Sequence, residues 1–67
     1  MRIDRVKLIA EMARRDINVN ELADLAGISR ATVTALRGGK SAHANTIKHV
    51  ARALGVTVEE LMEDTHV

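Results

Sequence analysis

The run Asn18-Val19-Asn20-Glu21-Leu22-Ala23-Asp24-Leu25-Ala26-Gly27-Ile28-Ser29-Arg30-Ala31-Thr32-Val33-Thr34-Ala35-Leu36-Arg37 decides the fold. Asn18, with Glu21 three residues on, has the pattern of a capping box: the Asn side chain accepts a free backbone N–H and the Glu reaches back to the cap. A helix opening there runs to Ala26 and turns Leu22, Ala23 and Ala26 inward. Gly27 stops it, because glycine enters the left-handed region with no Cβ to clash. Ser29 is a natural N-cap for the next helix, Arg30 to about Arg37, whose inner side carries Val33 and Leu36. A connection as short as Gly27-Ile28-Ser29 forces the two helices to cross steeply, and two short helices joined through a Gly make a helix-turn-helix.

The pattern extends in both directions. On the N-terminal side, Val6, Ile9, Ala10 and Ala13, with Ile3 one turn earlier, recur at helical spacing and predict a first helix over about Ile3 to Arg15. Leu8 and Met12 fall off that stripe, as core edge or as a surface for a partner. On the C-terminal side, Gly38-Gly39 ends the third helix and Lys40 to Ala42 reads as a loop. A fourth helix follows over about Ala44 to Leu54, with Ile47, Val50, Ala51 and Leu54 as its stripe and Gly55 as its stop. Thr57-Val58-Glu59-Glu60 reads as a second capping box and opens a short fifth helix with Val58, Leu61 and Met62 apolar; Thr65-His66-Val67 read as a frayed end. The expectation is an all-α fold of five short helices in a single domain over residues 1–67, with a core from about 3 to 62. Leu22, Ala26, Ile28, Val33, Leu36, Ile47, Val50, Ala51, Leu54, Val56 and Leu61 are expected in that core.

Composition narrows the function. The chain has 67 residues and no Phe, Trp, Tyr, Cys or Pro. A domain of this length buries about 60% of its unfolded surface and has no walls for a deep substrate cavity. Without Cys there are no disulfides, thiolate metal sites or Cys nucleophiles. Without aromatics there are none of the stacking platforms that most single-strand and RNA readers use. No apolar run reaches membrane-spanning length and the N-terminus carries no signal-peptide pattern, so the expected compartment is the cytoplasm. His43 and His49 stand six apart with no i, i+4 ligand partner, and no metal site is expected. His43 sits where helix four opens and can approach a phosphate when protonated; His49 and His66 read as exposed. No Ser-His-Asp set or carboxylate pair has a cleft to work in, so the chain is read as no enzyme, with no cofactor and no small-molecule ligand.

The formal net charge of +1 conceals a segregation. Between Leu25 and Val58 there is no acidic residue, while Arg30, Arg37, Lys40, Lys48 and Arg52 all lie there. Glu59, Glu60, Glu63 and Asp64 follow. A basic centre of this kind is either a set of solvated faces or a surface for a polyanion. Arg14, Arg15, Lys48 and Arg52 read as solvated; Arg30 opens the helix that would read a groove.

The stretch from Glu21 to Val33 resembles the core of the phage-repressor and Cro-type helix-turn-helix family, also called the xenobiotic-response-element family. The resemblance continues through Gly39-Lys40, Thr46-Ile47, Ala51-Arg52-Ala53-Leu54-Gly55-Val56 and Glu60-Leu61, and so covers about Val6 to Met62. It implies a five-helix, lambda-repressor-like domain that binds double-stranded DNA sequence-specifically, usually as a homodimer on a palindromic operator, with a regulatory, repressor-like outcome. By position it implies base contacts from Arg30, Ala31, Thr34 and Ala35. It implies phosphate contacts from Arg37, Lys40, Ser41 and Asn45, with Ser29 and Thr32 at the entrance of the recognition helix. Arg30 is suited to gripping guanine O6 and N7 together, Thr34 to one hydrogen bond, and Ala31 or Ala35 to a thymine methyl.

Three positions depart from the family pattern. Val19 stands where members often have a Gln that touches DNA. Arg37 stands where many have a Glu paired with an Arg on helix one, and the helix-one position is Met12, so that Arg37 is expected either on a phosphate or against Glu11. Ala35 stands where a polar reader is common, which shifts readout toward DNA shape and phosphate contacts. The competing reading is a protein-interaction module of the same fold, binding a toxin-like or polymerase-like partner; a ligand-free adaptor is a further rival. Leu8 with Met12, and the apolar Val58, Met62 and Val67 near the acidic end, are each either core edge or a surface for a partner, and the residual apolar surface suits a dimer.

Overall fold

The structure is a computed structural model and describes residues 2–62. Its helices are α1 (Arg5–Arg14), α2 (Val19–Ala26), α3 (Arg30–Arg37), α4 (Ala44–Leu54) and α5 (Val58–Leu61). The expected fraying of Thr65-His66-Val67, the exposure of His66, the apolar Val67 and the acids Glu63 and Asp64 lie outside the described residues.

Caps fix most of these boundaries. The Asn18 side chain accepts from the Glu21 N–H, and the Glu21 carboxylate accepts from the Asn18 N–H, so the capping box is closed. Gly27 sits at φ 70° and ψ 33°, and its N–H donates to the Ala23 carbonyl, ending α2 as expected. A Cβ at Gly27 would meet no neighbour, so the demand for glycine there is conformational rather than steric. Ser29 caps α3 through the Thr32 N–H. The second capping box forms only by half: Thr57 accepts from the Glu60 N–H, but the Glu60 carboxylate does not return to the Thr57 N–H. With Glu59 and Glu60 both in its first turn, α5 still matches the positive end of its own dipole.

α2 packs against α3 and α4, and α1 packs against α3 and α5. The core is Ile3, Leu8, Met12, Leu22, Ala23, Ala26, Val33, Leu36, Ile47, Val50, Ala51, Leu54 and Leu61, with Ile28 and Val56 half-buried against it. No charged or polar side chain is buried among the described residues.

α1 corrects the sequence reading in two ways. It begins at Arg5, capped by Asp4, whose carboxylate accepts from the Val6 and Lys7 N–H groups. Ile3 is buried as expected but lies outside the helix, in an extended segment paired with Met62. The buried stripe is also the other one. Leu8 and Met12 are 0% and 4% exposed, whereas Val6 is 66% and Ile9 38% exposed and Ala10 and Ala13 face outward. Leu8 and Met12 are therefore core, not a surface for a second copy. Their long side chains lie four apart on one face and fill the core, which the two alanines of the rival stripe are too small to do. The half-buried Lys7, Glu11 and Arg15 border this face. Val58 and Met62 are half-buried against the core.

Candidate nucleic-acid interface

The turn Gly27-Ile28-Ser29 presents α3 with its outer face open. Val33 and Leu36 are driven inward, and that fixes Arg30, Ala31, Thr34 and Ala35 on the side away from the core. These four residues come together with Gly38 and Lys40 around one shallow concavity. A second concavity is lined by Ala31, Thr32, Ala35, Leu36, Ser41, Ala42, His43 and Thr46. Ala31 and Ala35 belong to both. The two hollows are thus halves of one strip floored by two methyl groups, with Arg30, Thr34 and Lys40 on one bank and Thr32, Ser41 and His43 on the other. Alanine at 31 and 35 lets the α3 backbone approach a partner surface closely, and leaves the polar work to the banks.

The hydroxyls at the α3 entrance are already engaged. Ser29 Oγ accepts from the Thr32 N–H at 3.1 Å and shares a hydrogen bond with Thr32 Oγ1 at 2.8 Å. If Ser29 donates in that second bond, the Thr32 proton is free to point outward. Ser29 thus holds the helix entrance.

Arg37 is not on the strip. It lines a separate hollow with Ile9, Met12, Ala13, Ile17, Asn18, Val19 and Asn20, between α1 and the start of α2. Its expected alternative partner, Glu11, is taken by Arg14 and Arg15. Arg37 is exposed and makes no ion pair among the described residues, and buried Met12 stands beside it where the family's paired Arg would be. Val19 is half-buried against the core, a brace rather than a polar contact. Arg14 is exposed, as expected, while Arg15 is half-buried over α1.

The amino end of α4 lies past Ser41. His43 is its N-cap and makes no side-chain capping bond, and no acidic residue stands in its first turn. Asn45 is exposed in that first turn. The first N–H groups of α4 and the dipole behind them are therefore unopposed by negative charge at this end.

Two cations on the rim had no signal in the sequence pattern. Arg2 forms an antiparallel bridge with Ser41, and its Nε donates to the Gly39 carbonyl at 3.4 Å. The Arg5 side chain runs past the same glycine, so that a Cβ at Gly39 would lie 3.7 Å from Arg5 Cδ. Local periodicity cannot reveal pairings across 37 residues of chain.

A helix-turn-helix with an open, basic-edged second helix defines the class: a helical DNA-binding domain. Residues 7–66 match the family model described as the Cro/C1-type HTH DNA-binding domain, and the chain belongs to that family. Solved structures extend the likeness. A hydroxyethylphosphonate dioxygenase variant matches at 33% identity and a TM-score of 0.86, over 100% of this chain and 15% of that one. PhpD with cadmium matches at 31% identity and a TM-score of 0.83, again over 100% and 15%. The Streptomyces albus enzyme HEPD matches at 37% identity and a TM-score of 0.80, over 87% and 13%. The chain thus spans about 15% of the length of the enzymes it resembles. No curated protein matches it. Among the described residues no helix is long and apolar enough to cross a membrane.

Proposed function

We propose that the protein is a small, repressor-like transcriptional regulator that binds a specific duplex sequence, with α3 in the major groove. The observation that carries this reading is the strip on α3: Arg30, Thr34 and Lys40 facing Thr32, Ser41 and His43 across a floor of Ala31 and Ala35. An α-helix fits the major groove, and a guanidinium at its amino end reaches a base edge. Arg30 reads a guanine, Thr34 contributes one hydrogen bond, and the alanines contact thymine methyls. Lys40, Ser41 and Asn45 hold phosphates with the open end of α4, and Arg37 holds one from its own hollow beside α2. The working form is a homodimer on a palindromic site, with recognition helices about 34 Å apart. The domain itself performs no catalysis, takes no cofactor or small ligand, and works in the cytoplasm.

A second reading is favoured by the likeness to segments of phosphonate dioxygenases. There the domain is a protein-interaction module, the α3 strip has no nucleic acid to read, and the exposed Val6 and Ile9 of α1 serve a neighbouring domain. Titration against a pool of random duplexes, with selection of the bound fraction, separates the two. The regulator binds, enriches a two-fold symmetric sequence, sediments as a dimer on it, and loses affinity steeply with salt through counterion release. On the selected site Arg30→Ala costs about 1–3 kcal/mol and relaxes preference at one position, while Lys40→Ala weakens all sequences equally. Absent or salt-independent binding leaves the interaction module.

A further inference from the structure

The N-terminal segment is tied at three points to elements far away in sequence. Arg2 bridges Ser41, Ile3 bridges Met62, and the Asp4 N–H donates to the Leu61 carbonyl at 2.8 Å. Lys7 Nζ adds a fourth tie, donating to the Met62 carbonyl at 3.1 Å. The ties to α5 fix the segment against the body of the domain, and Arg2 then props the loop that follows α3.

That loop belongs to the α3 strip. Lys40 lines one hollow and Ser41 the other. Gly39, at φ 89°, makes the bend between them and α3, and its N–H and that of Lys40 return to the Leu36 and Ala35 carbonyls. Arg2 and Arg5 meet this bend from its outer side, and Arg2, Arg5 and Lys40 are all exposed. None of the three is ion-paired among the described residues, and the neighbouring carboxylate, Asp4, is committed to capping α1. Three unpaired cations therefore surround one glycine at the rim of the helix that enters the groove. With α3 in a major groove about 12 Å wide, the rim of that helix is where a sugar-phosphate strand must rise.

We propose that Arg2 and Arg5 are phosphate-binding residues of the DNA face, gripping the backbone of duplex DNA beside Lys40. This rests on the regulator reading above. Arg2 has a planar guanidinium whose Nε–H holds the loop while its terminal nitrogens remain for a phosphate oxygen. Arg5 adds its charge one step further along the same strand. Both contacts are sequence-independent, so they raise affinity for every duplex alike.

The test measures the slope of log affinity against log salt for the full chain on a selected duplex and on a random one. Each phosphate contact contributes about −0.9 to that slope. Arg2→Gln and Arg5→Gln should each make it shallower by about 0.9, equally on both duplexes, and the double variant by about twice as much. Arg14→Gln removes the same charge from the outside of α1 and should leave the slope unchanged. Arg2→Lys should keep most of the slope lost in Arg2→Gln. Equal losses in Arg2→Lys and Arg2→Gln would reduce Arg2 to a prop for the loop and overturn its phosphate contact. Unaltered slopes in Arg2→Gln and Arg5→Gln, with the parent protein binding duplex normally, would overturn the proposal alone. A parent protein that binds no duplex would overturn the regulator reading as well.

Discussion

α1 and α3 are both short amphipathic helices, yet one is legible from sequence and the other is not. In α3 only Val33 and Leu36 are large and apolar; they lie on one face, and every other position is small or polar. Only one rotation of that helix buries them, and it leaves Arg30, Ala31, Thr34 and Ala35 outward. α1 has apolar residues on two faces. Val6, Ile9, Ala10 and Ala13 make the more populated stripe, and Leu8 with Met12 the sparser one. The sparser stripe is buried. Counting apolar positions favours the wrong face when half of them are alanines, because burial rewards area and fit rather than number. A helix with an open outer face is thus fixed by the poverty of its apolar face, and a bracing helix by the size of what it can insert.

The largest expected effect breaks that comparison on α1. Leu8 is fully buried, and Leu8→Ala should cost about 2–5 kcal/mol through lost transfer energy and the cavity left behind. A domain of this size has roughly 3–10 kcal/mol in total, so the variant should be partly unfolded at room temperature by circular dichroism and denaturant titration. If Leu8→Ala melted like the parent while Val6→Ala and Ile9→Ala unfolded, the rotation of α1 would be wrong and the rival stripe would be core.

A smaller effect sharpens the comparison on α3. Ser29 satisfies the Thr32 N–H at the amino end of the recognition helix and steadies the Thr32 hydroxyl. Ser29→Ala should lower stability by about 1 kcal/mol. In a domain of 60–100 residues that is a fall in melting temperature of about 4–8 °C. Ser29→Asp keeps an acceptor and should recover most of the loss, because a carboxylate also suits the positive end of the helix. With a phosphate at Ser29, as the family resemblance implies, the same carboxylate would meet negative charge, and Ser29→Asp should bind duplex more weakly than Ser29→Ala despite being more stable. Binding that simply followed stability would place Ser29 away from the DNA backbone.

What was readable follows the reach of each signal. Asn18, Gly27, Ser29 and Gly55 act on backbone within four residues of themselves, and the boundaries they set for α2, α3 and α4 are those of the structure. The set Arg30, Ala31, Thr34 and Ala35 is what the family resemblance implies by position, and the structure gathers the four on the outer side of α3. The position of Arg37 in a different hollow from Lys40 was not readable, because it depends on how α1 and α2 converge beside the end of α3. The start of α1 was missed for a related reason. Ile3 is apolar and in phase with the first stripe, but it is held extended by Met62, far along the chain. The same long-range pairing brings Arg2 and Arg5 to Gly39. The half-formed cap at Thr57 shows a local rule failing too: the Thr-x-x-Glu spacing permits the reciprocal bond without compelling an exposed Glu60 to make it.

The smallest expected effect bears on the face that α1 leaves open. Val6 and Ile9 lie in solvent beside Ala10 and Ala13, and an exposed substitution away from caps and ion pairs changes stability by no more than about 0.5 kcal/mol. The double variant Val6→Thr, Ile9→Thr keeps both positions β-branched, so helix propensity changes little, while most of the apolar character of the face is removed. Its melting temperature should match the parent's at low protein concentration. Because the α3 strip lies elsewhere on the molecule, its affinity for a single half-site should match too, save for the share that Arg37 carries from the hollow lined by Ile9. A difference that grows with protein concentration, or that is seen only on a palindromic duplex, would show that this face is covered in the working assembly. In that case the more populated stripe of α1 is an interface, and its apolar residues are selected for a partner rather than for the fold.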